Sequence, residues 1–194
     1  MQHPLLKMNS SPTLQSISQA MPQIGKLEAI VVRPAPRIEA VLIEKTLAIE
    51  GVGLREDRRG IEAHKVAKIS NRQVTLIQAE HIEIIAKLMH LPYLSATLLR
   101  RNLVVSGINL LAIKPLFKEQ IHYLKIGEVL LEMTGACAPC SRMEKLLGAG
   151  GYNAMRGHGG VNAKVIRGGE LQVGHAASLV IGYAGMHGQA TLDF

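Results

Sequence analysis

Apolar residues along this chain fall mostly in short runs cut by glycine and proline, and one stretch carries a clear helical period. Ile30, Val31 and Val32 sit in a run from Lys26 to Pro34, closed by Pro34 and Pro36, which predicts a strand. Val41 to Ile49 alternates enough to form a second strand; Gly51 and Gly53 break it, and a polar loop from Leu54 to Gly60 follows. Val74 to Ile77 is a short strand leading into a helix from Ala79 to Leu91. There Ile82, Ile85, Ala86 and Met89 recur at three- and four-residue spacing, and Pro92 ends it. Asn102 to Val105 predicts another strand. Ile108 to Ile113 continues apolar, and Ile121 to Met133 predicts two strands turning at Lys125 to Gly127. A glycine-rich loop spans Gly148 to Gly160. Ala163 to Ile166 and Leu171 to Val173 then read as a hairpin about Gly168-Gly169, before a last strand from Ala177 to Ile181. Many short strands separated by turn signals imply a mainly β, barrel-like fold, mostly antiparallel, with a few α-helices. The folded domain is expected over residues 26–184. A flexible leader rich in Ser, Gln and Pro (residues 1–25) precedes it, and a tail (residues 185–194) follows.

Composition narrows the picture. Hydrophobic residues make up 47% of the 194, enough for a sizeable core, but aromatics are only 3% and Trp is absent. The core must therefore be built from Ile, Leu, Val, Ala and Met. Lys and Arg total 22 against 15 Asp and Glu, a net charge of +7 that favours an anionic partner. Single-stranded nucleic acid would call for aromatic stacking platforms, which two Phe and four Tyr hardly supply, so no nucleic-acid partner is expected. A phosphate-bearing small molecule, or solubility alone, accounts for the charge. No run reaches the ~20 apolar residues of a membrane span, so no membrane partner is expected. The leader has no apolar segment after a basic start and does not read as a secretory signal. With two cysteines a disulfide scaffold is not expected, and the cytoplasm, where thiols stay reduced, is the expected location.

Those two cysteines form the chemical centre of the sequence, in Thr134-Gly135-Ala136-Cys137-Ala138-Pro139-Cys140-Ser141-Arg142. A thioredoxin-like redox pair needs a βαβ setting with a helix opening at the first cysteine, and a strand followed by a loop does not predict one. A zinc site needs four ligands; there is no second CxxC, and His158 and His175 lack a ligand spacing. A single thiolate on a loop after a strand, ligating a soft transition metal, is a third reading, with Arg142 near enough to favour the thiolate. The plainer account packs both thiols as small apolar side chains. Pro139 restricts the backbone beside Cys140, whereas Cys137 lies nearer the strand end between two alanines. Cys140 is therefore expected to be the functional thiol and Cys137 to pack. Asp57-Arg58-Arg59 and Arg100-Arg101-Asn102 offer arginine forks suited to phosphate or carboxylate; solvated turns are the alternative. Gly157, Gly159 and Gly160 could admit backbone amides to an anion, or form a mobile flap.

In order along the chain come Gly51-x-Gly53-x-x-x-Asp57-Arg58, Arg72-Gln73-Val74-Thr75-Leu76-Ile77 before a helix, and Arg100-Arg101-Asn102-Leu103-Val104-Val105-Ser106-Gly107. Ile126-Gly127-Glu128, Cys137-Ala138-Pro139-Cys140, Gly159-Gly160 and Gly168-Gly169-Glu170-Leu171-Gln172-Val173-Gly174 follow. No single element is specific, but their order and spacing resemble the MOSC domain, named after the C-terminal domain of molybdenum-cofactor sulfurases. The resemblance covers roughly Leu27 to Ile181. It implies a β-barrel-like fold that binds molybdopterin, the molybdenum cofactor, with Cys140 as metal ligand and catalytic residue. In the mitochondrial amidoxime-reducing branch a similar two-cysteine segment places the molybdenum-ligating sulfur at the second cysteine. Carried over, Asp57, Arg58, Arg100, Arg101 and Asn102 would help hold the anionic pterin, together with Arg142, Gly159 and Gly160. The implied activity is that of an oxidoreductase acting on N-hydroxylated compounds, with a separate electron-donor protein as partner. The alternative is a sulfur carrier, with a persulfide on Cys140 loaded by a sulfurtransferase. Pyridoxal phosphate is associated with the sulfurases, but nothing marks a Schiff-base lysine, so it is not expected. Many members read Gly-Asp-Arg where this chain reads Arg55-Glu56-Asp57-Arg58, so a different loop backbone is expected there. The pyridoxal-phosphate domain and N-terminal barrel half of larger members are not matched by this sequence.

Overall fold

Alternation governs the strands. Between Gln120 and Ile126 the inward positions are Gln120, His122, Leu124 and Ile126; between Val161 and Arg167 they are Val161, Ala163 and Val165. A period of two puts one face of each strand into a shared core. The computed structural model describes residues 11–61, 70–118 and 120–183. In chain order its strands are β1 (Gly25–Val32), β2 (Val41–Ile43), β3 (Lys45–Ile49), β4 (Gly53–Leu54), β5 (Val74–Gln78), β6 (Leu103–Ser106), β7 (Gln120–Ile126), β8 (Val129–Ala136), β9 (Val161–Arg167), β10 (Gly169–Gln172) and β11 (Ala176–Tyr183). Its helices are α1 (Leu14–Gln19), α2 (Arg58–Ile61), α3 (Ala79–Leu88), α4 (Ala96–Leu99), α5 (Ser141–Leu147) and α6 (Gly151–Met155).

Seven strands close into a barrel in the order β1, β11, β7, β8, β9, β5, β6 and back to β1. All neighbours are antiparallel except β5 and β6, which run parallel and are joined by a crossover carrying α3 and α4. β2 pairs with the last residues of β1, and β10, β3 and β4 form a small separate sheet. Leu27, Ile30, Leu76, Leu103, Leu124 and Ile126 are fully buried in the barrel core. A second cluster lies outside the barrel, where Ile85 and Ala86 of α3, Met143 of α5 and Met155 of α6 pack with Ile77 and Val104. Each such large side chain contributes roughly 1.5–3 kcal/mol of burial. That layer anchors α5, and with it the chain just after Cys140.

The mainly β barrel is as expected, but several local expectations are corrected. The single strand from Val41 to Ile49 is two strands in different sheets, divided at Glu44, whose carbonyl accepts from Val173 N–H at 2.9 Å. The hairpin about Gly168-Gly169 does not form: β9 stays in the barrel while β10 pairs with β3, Gly169 opposite Ala48. A side chain at Gly168 would meet the Ala48 carbonyl, so the glycine admits this change of partner. The Leu54 to Gly60 loop contains the end of β4 and the start of α2, and the glycine-rich loop contains α6. The predicted helix over Ala79 to Leu91 stops at Leu88, with His90 in the left-handed region. Within the expected leader, α1 forms and Gly25 already belongs to β1; residues 1–10 and the tail lie outside the described residues. Among the described residues, no helix is long and apolar enough to cross a membrane.

Candidate functional site

One rim of the barrel gathers the chemistry. Because β5 and β6 are parallel, the segments that enter them, ending in Arg72-Gln73 and Arg100-Arg101-Asn102, arrive at the same end. β1 runs antiparallel to β6 and delivers Arg33 there as it leaves the sheet. β8 delivers the Cys137 to Cys140 segment beside β9. Arg33, Asp57, Arg58, Arg72, Gln73, Thr75, Arg100, Arg101, Asn102, Cys137, Cys140 and Met143 line a cavity of about 280 Å³. Five arginines thus face one acid.

The two thiols differ in exposure. Cys137 is 1% exposed, while Cys140 is exposed, and both are free. Cys137 is fixed from three directions: its N–H donates to Gly160 O (2.8 Å), its carbonyl accepts from Arg101 Nη2 (3.1 Å), and its Sγ accepts from Arg72 Nη2 (3.4 Å). Cys140 is the N-cap of α5 in extended conformation, and its carbonyl accepts from Met143 N–H at 2.8 Å. Its thiol makes no capping hydrogen bond, which leaves the sulfur available to the cleft. The helix after Cys140 is unforeseen by the sequence reading, which placed it on a loop.

The arginines divide into scaffold and unpaired groups. Arg101 is 7% exposed and spends its guanidinium on backbone carbonyls: Nε to Gly159 O (2.6 Å), Nη1 to Leu99 O (3.1 Å) and Nη2 to Cys137 O. Burial pushes its pKa below the ordinary arginine value; the nearby Cys137 and Cys140 act the other way, and Arg72 adds to the lowering. Arg72 is held by Asn162 Oδ1 (3.0 Å) and the Cys137 sulfur. In contrast, the side chains of Arg33, Arg58 and Arg100 make no hydrogen bond or ion pair among the described residues. Burial likewise lowers the Arg33 pKa; Asp57 opposes this, and the positive charges of Arg58 and Arg142 add to it.

Asp57 and Asn102 both line the cleft, but Asp57 Oδ1 and both side-chain polar atoms of Asn102 are engaged in holding it together. Asp57 Oδ1 accepts from Arg33 N–H (2.9 Å), and Arg33 O accepts from Arg58 N–H (2.8 Å), which ties α2 to the end of β1. Asn102 Oδ1 accepts from the Thr75 backbone N–H (3.1 Å) and from Thr75 Oγ1 (2.9 Å), while Nδ2 donates to Val31 O (3.2 Å). Gly159 and Gly160 do not line the cleft. They run beneath it, where side chains would strike the Cys137 and Leu76 carbonyls. Arg142 lines a neighbouring cleft instead. Arg33, Thr75 and Met143 are lining residues the sequence reading missed, as were Arg72 and Gln73 as site groups. Arg33 ends an apolar run and has no local mark; Arg72 carried a signal, its place in the Arg72-Gln73-Val74-Thr75 motif. Among the described residues, no cluster of three or more His, Cys, Asp or Glu could hold a metal by protein ligands alone.

The sequence and the fold place the chain in a known class. Residues 63–178, more than half of the sequence, match the model of the MOSC domain, and the chain belongs to that family. No curated protein matches it significantly in sequence. The YUAD protein from Bacillus subtilis is similar in structure, with a TM-score of 0.64 and 19% identity over 83% of this chain and 97% of that one. YiiM from Escherichia coli gives 0.55 and 16% identity over 80% and 69%. YiiM from Geobacillus stearothermophilus gives 0.59 and 14% identity over 80% and 75%. At these identities the likeness is one of fold. MOSC domains are associated with the molybdenum cofactor.

Proposed function

We propose that this protein holds a molybdenum cofactor in the arginine cleft, with Cys140 as the metal's thiolate ligand, and works as an oxidoreductase on N-hydroxylated compounds. The observation that carries this reading is an exposed thiol sharing one cleft with arginines that have no acid partner. The residues fit the group: soft transition metals take thiolate, and a pterin phosphate takes arginine forks. Arg33, Arg58 and Arg100 would bind the phosphate, since their donors are unspent, while Arg101, Asn102 and Asp57 position the walls. When bound, the cofactor supplies two-electron transfer.

The chain's own part is to orient and to hold. Helix α5, packed through Met143, fixes where the Cys140 sulfur points. Arg101 pins the Cys137 end of the same segment to α4 and to the turn before β9. Packing and second-shell bonds of this kind pre-organise a metal ligand. A separate electron-donor protein completes the cycle. The test begins with elemental analysis of natively purified protein, which should find molybdenum, and continues with reduction of hydroxylaminopurine by the loaded protein and a chemical reductant. Loaded protein that turns nothing over sinks the reductase reading.

The exposure of Cys140 also suits a second reading, a sulfur carrier bearing a persulfide there and served by a sulfurtransferase. Protein free of molybdenum, with cyanide-releasable sulfur that is lost in Cys140→Ser, selects it.

A further inference from the structure

Beside the cysteine cleft lies a larger one, about 470 Å³, and the two share Arg33 and Arg100 as walls. The second cleft contains neither cysteine. It adds Arg37, Arg142 and Lys145, with Glu39 as its one acid. Three observations set it apart from a solvated surface. The first is charge. Five cations face one carboxylate, and none of the three ion pairs among the described residues involves any of them. Like charges around a concavity repel, and an anion relieves the repulsion.

The second is backbone conformation. Among the described residues three non-glycine positions have left-handed φ, and two of them line this cleft: Arg37 (67°), outside any helix, and Arg100 (58°), where the conformation ends α4. Side-chain-bearing residues enter that region at an energetic cost, and such residues concentrate at ligand sites. The third is an apolar wall: Ile38, Leu98 and Leu146 are 54%, 42% and 45% exposed beside those charges. Bare phosphate has no use for an aliphatic wall, whereas an organic phosphate uses both parts.

We propose that the second cleft binds a phosphorylated nucleoside, its phosphate held by Arg37, Arg142 and Lys145 and its base laid along Ile38, Leu98 and Leu146. As the identity of the substrate, a nucleotide presented to the cysteine cleft across the shared arginines, it rests on the reductase reading; as a binding site it does not.

Calorimetric titration of the full chain with AMP, adenosine and inorganic phosphate tests it. AMP should bind about tenfold or more tighter than either fragment, and Arg37→Gln/Lys145→Gln should lose about tenfold of that, the loss expected from charge-assisted hydrogen bonds. Lys145→Glu, which leaves the Arg37 backbone untouched, should weaken AMP at least as much as Lys145→Gln. Cys140→Ser should bind AMP as the parent does. AMP binding no tighter than its fragments, or persisting in variants with unchanged circular dichroism, overturns the site. AMP binding that behaves as expected while molybdenum-loaded protein reduces no hydroxylaminopurine or its nucleotide upholds the site and overturns the reductase reading alone.

Discussion

Arg101 separates scaffold from ligand. Replacing it with Met keeps much of its volume and removes all three donors to the carbonyls of Gly159, Leu99 and Cys137. A hydrogen bond from a charged donor contributes about 1.5–3 kcal/mol. The three share one side chain, and losing it also relieves the cost of burying a guanidinium, so the sum overstates the effect. We therefore expect a loss of about 3–4 kcal/mol, a large part of the ~5–15 kcal/mol that stabilises an ordinary domain. In a chain of this size each kcal/mol lowers Tm by about 2–4 °C, which makes the drop roughly 10 °C. Urea unfolding followed by circular dichroism measures it, and an unchanged slope with a lower midpoint marks a true stability change. Arg101→Lys should recover only a fraction, because one ammonium cannot span three carbonyls. If Arg101→Met unfolds within about 1 kcal/mol of the parent yet no longer retains molybdenum, Arg101 is a ligand-binding arginine and the scaffold argument is wrong.

Three other outcomes are expected. Alkylation near neutral pH should modify Cys140 in folded, cofactor-free protein and reach Cys137 only on unfolding; Cys140→Ser should abolish metal or sulfur loading, while Cys137→Ser should keep most of it at a cost of about 1 kcal/mol in stability. Gly160→Ala should lose about 3 kcal/mol or more by denaturant titration, because φ is +85° and the added carbon drives into the Leu76 carbonyl. His81 packs edge-on against His158 with ring centroids 5.0 Å apart; burial first, then the His158 charge, lowers its pKa below the ordinary 6.5, with Glu80 opposing. A histidine lowered on folding contributes stability that is present above 6.5 and lost as pH falls below it, so wild type should weaken with acidification through that range more than His81→Gln does.

The sequence made the barrel strands legible because period-two alternation and bounding glycines are local signals, as in β7 and β9. It could not reveal that Val41 to Ile49 divides between sheets, since Glu44 looks like any strand residue until Val173 arrives from far along the chain. The hairpin failed for the same reason: Gly168-Gly169 marks a turn, but the partner of β10 is the distant β3. Helix α5 is seven residues long with Met143 its one buried residue, too short for periodicity to show. Within the site, Cys140, Arg58 and Arg100 stood out by type and spacing. Which arginines have spare donors was not legible, because Arg100 and Arg101 are adjacent residues of one type, and only the fold buries Arg101 among three carbonyls.

The barrel is not equally tight all round. β7 and β11 share seven register pairs, whereas β1 and β11 share two, Gly25 with Ala177 and Lys26 with Ala176. Local opening begins where paired backbone is scarcest. The ring's hinge is therefore this short seam, and it lies at the opposite end of β1 from Arg33. Slow breathing, visible as early hydrogen exchange at Leu27 and Gly174, whose amides bridge the seam, can loosen the barrel wall while the arginine rim keeps its shape.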